Sequence, residues 1–201
     1  MDISLKVNQK TNIVLFASGG GSNVLRICQY FENNSKIQVA ALFCNKSNAG
    51  VMDRVKPFGI PTFLFSKTQL ESGEVLIKLK SIAPKLIVLA GFLLKLPQQI
   101  VSQFRRKIIN IHPSLLPKFG GKGMYGIHVH QAVKNKGDTS TGMTIHYVDE
   151  QYDSGDIIFQ KSVDIAPTDT PEDIAQKVLK LEHYYYASVI HALIEDLPYD
   201  W

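Results

Sequence analysis

Apolar residues in this chain come in short blocks that switch between continuous runs and helical spacing. Ile13-Val14-Leu15-Phe16-Ala17 is a continuous run of strand formers. It ends in Ser18-Gly19-Gly20-Gly21-Ser22-Asn23, after which Val24, Leu25, Ile27, Cys28 and Phe31 recur at helical intervals. The pattern predicts a strand, a glycine loop and a helix. A second apolar run covers residues 39–44, and a helix is predicted over about 50–58, with Gly59 as its stop and Pro61 beyond. Residues 62–65 predict a short third strand. A helix is predicted over 71–82, with Val75, Leu76, Leu79 and Ile82 on one face. Residues 86–91 form an unbroken apolar strand of the kind buried on both faces.

Leu96-Pro97 opens a predicted helix through Phe104, and residues 107–111 predict a fifth strand. The stretch 118–126 is glycine-rich, with no regular period, and a helix follows over 127–136. Residues 141–148 alternate, Met143, Ile145 and Tyr147 against Thr144, His146 and Val148, and 156–163 predict one more strand. Thr170-Pro171-Glu172-Asp173 is a strong helix start: a Thr cap, Pro in the first turn and acids at the positive end of the dipole. That helix is predicted to run to about 195, with Ile174, Val178, Leu181, Tyr185 and Val189 along one stripe. Strands alternating with helices give an α/β fold: a mainly parallel twisted sheet flanked by helices, Rossmann-like, with right-handed crossovers. No internal repeat or flexible linker is present, and residues 1–201 read as one domain.

Composition narrows the function classes. Hydrophobic residues make up 45% of the 201, enough for an ordinary core. The net charge is +4 from 22 Lys and Arg against 18 Asp and Glu, and the basic residues are scattered. Nucleic-acid binding would need a denser basic stripe, so no nucleic-acid partner is expected, and the surplus suits an anionic small molecule. Cys28 and Cys44 match no zinc or redox spacing and make no disulfide framework. With no signal-peptide core at the N-terminus and no run long enough for a membrane span, a cytoplasmic protein with reduced thiols is expected.

Five groups of residues carry candidate chemistry. Asn110 and His112 stand two apart at the end of an apolar run, so an extended backbone points both the same way, and Pro113 stops the strand there. An amide beside an imidazole suits a reaction in which negative charge builds on a carbonyl oxygen, although a turn former next to a solvated His gives the same pattern. The glycine loop offers backbone amides and a helix N-terminus to a phosphate, or is only a tight turn. It is not Gly-x-Gly-x-x-Gly, because the third glycine would fall at Val24, and no Walker lysine follows. The acidic run from Asp149 to Asp156 could set the protonation of a nearby imidazole, or be an acidic turn. The apolar loop at Gly91-Phe92-Leu93-Leu94-Lys95-Leu96 follows the fourth strand, where open α/β sheets bind ligands, and could wall a flat heteroaromatic ring. Glu182 adjoins an apolar helical stripe and could accept from an amine, or face solvent. His128 and His130 lack a third ligand, so no metal site is expected. Ser114 has no nucleophile elbow around it.

In the order Gly21-Ser22-Asn23, Ala90-Gly91-Phe92, Asn110-Ile111-His112-Pro113-Ser114-Leu115-Leu116-Pro117 and Asp153-Ser154-Gly155, the chain resembles the folate-dependent phosphoribosylglycinamide formyltransferases of purine synthesis. The resemblance covers nearly the whole chain. It implies formyl transfer from the co-substrate 10-formyltetrahydrofolate to phosphoribosylglycinamide, without a metal, by a monomer or homodimer. It also implies roles for residues. Asn110, His112 and Asp153 would be catalytic. Gly21, Ser22 and Asn23 would hold the substrate phosphate, and Glu182 its glycinamide part. Leu93, Leu94, Lys95 and Leu96 would wall the folate site, with Asn110. The phosphate-binding half would span about 11–110, and the catalytic, folate-binding half about 111–201. The chain departs from its relatives at Leu94, where many carry an Arg, and at Lys67, near where some place an Arg for the folate tail. The competing expectations are a 10-formyltetrahydrofolate hydrolase, which would add an N-terminal regulatory domain, and a non-catalytic nucleotide-binding module. A methionyl-tRNA formyltransferase would add a tRNA-binding domain.

Overall fold

The computed structural model describes residues 10–198. Strands β1 (Thr11–Ala17), β2 (Ile37–Cys44), β3 (Thr62–Leu64), β4 (Leu86–Leu89) and β5 (Ile108–His112) pair in parallel. Strands β6 (Ser140–Tyr147) and β7 (Ile157–Asp164) continue the same sheet in antiparallel fashion. The order across the sheet is β3-β2-β1-β4-β5-β6-β7, with β1 and β4 at its centre.

Helices cover both faces. Helix α1 (Ser22–Phe31), α2 (Val51–Val55) with a 3-10 turn at Lys56–Phe58, and α7 (Pro171–Glu195) belong to one side. There Val24, Ile27, Val178 and Ile190 pack on Ile13, Leu15, Val88 and Ile109. Helices α3 (Lys67–Ser72), α4 (Glu74–Ile82) and α5 (Gln98–Gln103) cover the other side, where Leu70, Leu79 and Ile100 pack on Val14, Phe16, Ile87 and Ile108. Helix α6 (Ile127–Lys136) packs against α7. Burial on both faces is why the central strands read as unbroken apolar runs.

Two expectations are corrected. The helix expected over 71–82 is two helices, broken at Gly73, whose φ of 94° ends α3 and starts α4. The sequence carried a sign of α3: Ser66 and Gln69 form a reciprocal capping box. The strand expected to alternate over 141–148 is instead buried almost throughout, Thr144 and His146 included. Its second face lies under the chain that follows β5.

The long helix α7 is tied to the sheet by one buried hydrogen bond. The Tyr186 hydroxyl donates to the carbonyl of Leu89, the last residue of β4, at 2.9 Å. Burial raises the affinity of this phenol for its proton, so it stays a donor. Tyr186→Phe deprives the buried Leu89 carbonyl of its donor, with an expected loss of about 1–3 kcal/mol. Urea denaturation of the two proteins measures it. An unchanged midpoint would mean that α7 is held by packing alone.

Candidate active site

The end of β5 sets the site. Asn110 and His112 leave the strand on one face, and the antiparallel register with β6 places His146 opposite Asn110 and Thr144 opposite His112. Asn110 Nδ2 donates to His146 Nε2 at 3.1 Å, while His146 Nδ1 donates to the Tyr147 carbonyl at 2.8 Å. A carbonyl can only accept, so the single proton of neutral His146 sits on Nδ1. Burial lowers the proton affinity of His146, which keeps Nε2 free to accept. That acceptor fixes which way the Asn110 amide faces and leaves its second N–H unclaimed.

His112 is buried between two partners. Its Nε2 donates to the Phe119 carbonyl at 2.8 Å, and its Nδ1 lies 3.6 Å from Asp153 Oδ2. The other oxygen of Asp153 lies 3.7 Å from His146 Nε2. Asp153 has a φ of 53°, a conformation that Asp tolerates better than most residues. The loop that carries it is braced by the Asp149 carboxylate, which accepts from the Gln151 N–H and the Ser154 hydroxyl. Gln98 donates to Glu150 across to α5, and Lys95 lies over the Tyr152 ring.

The chain after His112 is pinned onto β6. Thr144 donates to the Ser114 carbonyl at 2.6 Å and accepts from the Leu116 N–H at 3.0 Å. Gln160 on β7 donates to the Leu116 carbonyl at 2.9 Å. The Ser114 hydroxyl is buried and donates to the Lys118 carbonyl, so it has no access to an electrophile.

Asn110, His112, His146 and Asp153 border a cavity of about 700 Å³ at the carboxyl ends of β4 and β5. Leu93, Leu94, Lys95 and Leu96 form one wall, and Asp149, Gln151 and Tyr152 face them. Asn23 and Glu182 close the other end. Asn23 Nδ2 donates to the Glu182 carboxylate at 2.6 Å. Burial pushes Glu182 up to about 7, against the lowering effect of that bond. The Asn23 side-chain oxygen is buried with no partner, an acceptor in want of an N–H or O–H. Gly21 and Ser22 do not border the cavity itself. They sit at the start of α1, where Gly21 takes a φ of 75° and no side chain caps the free amides. An added Cβ at Gly21 would run into Val51. Ser18 ties this loop to the far wall, because its hydroxyl accepts from the Leu93 N–H at 3.0 Å.

Two buried histidines of the cavity lining were not assigned to the site from sequence. His146 and His130 both border it, and both are nearly fully buried. Burial pushes His130 down to about 4, with repulsion from His112 adding to it, so His130 is neutral at pH 7. His128 is exposed, so the His128-x-His130 pair does not converge, and no set of three metal-ligand types gathers among the described residues. Lys67 pairs with Glu71 on the exposed side of α3 and stays away from the cavity lining.

A family profile described as formyl transferase matches residues 11–190. The chain is 39% identical over 186 residues to phosphoribosylglycinamide formyltransferase of Bacillus subtilis, covering 90% of this chain and 93% of that protein. It is 38% identical over 195 residues to the chloroplastic phosphoribosylglycinamide formyltransferase of Arabidopsis thaliana, covering 94% of this chain. The chain spans 67% and 62% of the length of the Arabidopsis and Vigna unguiculata plant relatives. Among solved structures, phosphoribosylglycinamide formyltransferase from Anaplasma phagocytophilum superposes with a TM-score of 0.85 at 31% identity, covering 94% of this chain and 89% of that one. The enzyme of the same name from Bacillus halodurans gives 0.83 at 34% identity, covering 92% and 95%.

The buried Glu182 makes stability depend on pH. Its folded value of about 7 lies above the ordinary 4.5, so between those values the native chain holds more protons than the unfolded one. Stability therefore falls as pH rises through that window. The lowered His130 and His146 have the opposite slope, but they are common to wild type and Glu182→Gln, so the difference between the two curves isolates Glu182. Between pH 4.5 and 7 the wild type should lose on the order of 3 kcal/mol relative to Glu182→Gln, read by urea titration at each pH. Parallel curves would refute the raised value.

Proposed function

The chain belongs to the formyl transferase family, and within it to the phosphoribosylglycinamide formyltransferases, and we propose that it transfers a formyl group from 10-formyltetrahydrofolate to the amine of 5-phosphoribosylglycinamide, giving formylglycinamide ribonucleotide and tetrahydrofolate. The observation that carries this reading is the convergence of Asn110, His112 and Asp153 on one end of one cavity.

The acceptor substrate lies with its phosphate on the amides of Gly21, Ser22 and Asn23 at the start of α1, where the helix dipole favours an anion. Glu182 and the unpartnered Asn23 oxygen take the donors of its sugar and glycinamide part. The donor lies along Leu93, Leu94, Lys95 and Leu96, an apolar wall fit for a flat ring, with Asn110 at its inner end. Residues of both halves of the chain line the cavity, which supports reading the chain as one domain.

As the amine attacks the formyl carbon, negative charge builds on the formyl oxygen. The unclaimed N–H of Asn110 donates to it, and His112 stabilises it as an imidazolium, with a proton on its Nδ1 edge as well as the Nε2 proton bonded to the Phe119 carbonyl. Asp153 faces that same edge at 3.6 Å and supports positive charge on the ring. It also takes the proton that leaves the amine and passes it, through water, to the departing nitrogen. Asn110 and His112 are held by His146 and Phe119 before any ligand arrives, so little reorganisation is needed at the moment of reaction. Both cysteines are free and buried, and burial pushes Cys28 up to about 12, an unreactive thiol in keeping with a cytoplasmic setting.

Incubation with 10-formyltetrahydrofolate should release tetrahydrofolate only when phosphoribosylglycinamide is present. Release without the amine would make the protein a hydrolase, and no release with it would make it a binding module. His112→Ala and Asp153→Asn should each lower kcat by about a hundredfold or more while donor binding persists. A variant that keeps a tenth of wild-type turnover would remove that residue from the mechanism.

A further inference from the structure

The stretch 118–126, which has no regular period in the sequence, reaches both members of the catalytic pair with its backbone. The Phe119 carbonyl accepts from His112 Nε2 at 2.8 Å, and two residues later the Gly121 N–H donates to Asp153 Oδ2 at 2.8 Å. Each residue between these bonds is constrained. Phe119 has a φ of 56°, unusual for a residue with a Cβ. A Cβ at Gly120 would stand 2.6 Å from Cδ2 of the buried Leu116 and 3.3 Å from Cβ of Asp153. Gly121 has a φ of 100°. Neither bond uses a side chain of the segment.

We infer that the backbone of residues 119–121 is a positioning element for formyl transfer, a two-pronged clasp that sets the proton and rotation of His112 and the orientation of Asp153. The Phe119 carbonyl demands a proton on Nε2, so Nδ1 is the edge left facing Asp153 and the cavity. A half-turn of the imidazole would forfeit that bond. The Gly121 N–H occupies Oδ2 of Asp153 and stops the carboxylate from swinging away from the ring. The left-handed turn at Phe119 is strained, and such strain persists only where the surroundings over-determine it. Here those surroundings include both catalytic side chains, along with the Ser114 hydroxyl on the Lys118 carbonyl. The inference rests on the roles proposed above for His112 and Asp153.

The test compares variants that disturb the segment while leaving His112 and Asp153 themselves unreplaced. Phe119→Val places a β-branched residue where φ is positive, and Gly120→Ala pushes Leu116 and Asp153 apart. Both should lower kcat by about tenfold or more, with KM for the amine substrate within about threefold. Phe119→Asn, which tolerates the left-handed region, should lose at least fivefold less than Phe119→Val, about 1 kcal/mol in barrier. Gly59→Ala is the control for glycine strain: Gly59 has a φ of 62°, meets nothing within 4 Å, and follows the 3-10 turn before β3. It should leave kcat unchanged. The second readout needs no substrate. Nitrogen-15 NMR of the imidazoles, recorded at a pH alkaline enough for the rings to be neutral and with His112 assigned by its loss in His112→Asn, should show Nε2–H in wild type and a mixture of tautomers in Phe119→Val and Gly120→Ala. Should Gly120→Ala fail to fold, Phe119→Val carries both readouts. Turnover within about twofold of wild type in Phe119→Val and Gly120→Ala would overturn the inference. So would lost turnover with an unaltered His112 spectrum. A wild type with no formyl transfer would instead sink the proposed function, and the spectra would still decide whether the clasp sets the tautomer.

Discussion

The pairing of β6 against β5 is the constraint on which the site depends. Five parallel strands would make an ordinary open sheet with a ligand edge at their carboxyl ends. At β5 the direction reverses, and the register sets Asn110 across from His146 and His112 across from Thr144. A slip of one residue would turn every one of these side chains to the opposite face. The same strand pair disposes of the chain on either side. Thr144 and Gln160 hold down residues 114–116 after β5, and the loop after β6 folds back far enough to bring Asp153 to both imidazoles.

Burial then decides what these groups can be. His146 and His130 are kept neutral by desolvation, so the site does not hold three competing cations. Glu182 holds its proton to about pH 7 for the same reason, despite the Asn23 amide on its carboxylate. The two ends of the cavity thus differ in kind. One end holds an imidazole and a carboxylate 3.6 Å apart, the ring fixed by the Phe119 carbonyl. The other is an amide–carboxylate pair with an unused acceptor, suited to holding a polar ligand in the ground state. The proposed direct transfer is consistent with this combination, since the Ser114 hydroxyl beside it is buried and already bonded to the Lys118 carbonyl.

Much of this was legible in the residues, for reasons that differ by element. Asn110 and His112 were readable because a strand has period two and Pro113 ends it. The central strands β1 and β4 were visible as apolar blocks, since burial on both faces leaves little room for polar residues. His146 was hidden by the same rule that revealed the pair: alternation assigns faces, yet it cannot tell that a loop will cover the polar one. Asp153 was legible only as one of an acidic run, because its partners stand seven or more residues away in sequence; the order of motifs singled it out. Helix α3 was missed although Ser66 and Gln69 announce it, because Gly73 interrupts its apolar period. The positions of Phe119 and Gly121 were beyond reach, since their contribution is backbone and depends on tertiary contact.

The central claim is that His112 and Asp153 act as one unit on one reacting centre. A double-mutant cycle on kcat/KM for formyl transfer, with His112→Asn, Asp153→Asn and both together, tests it most directly. Groups that share one task are strongly non-additive, so the double variant should be no more than about threefold worse than the poorer single one. Losses that multiply, each substitution costing the same factor whether or not the other is present, would contradict a shared role.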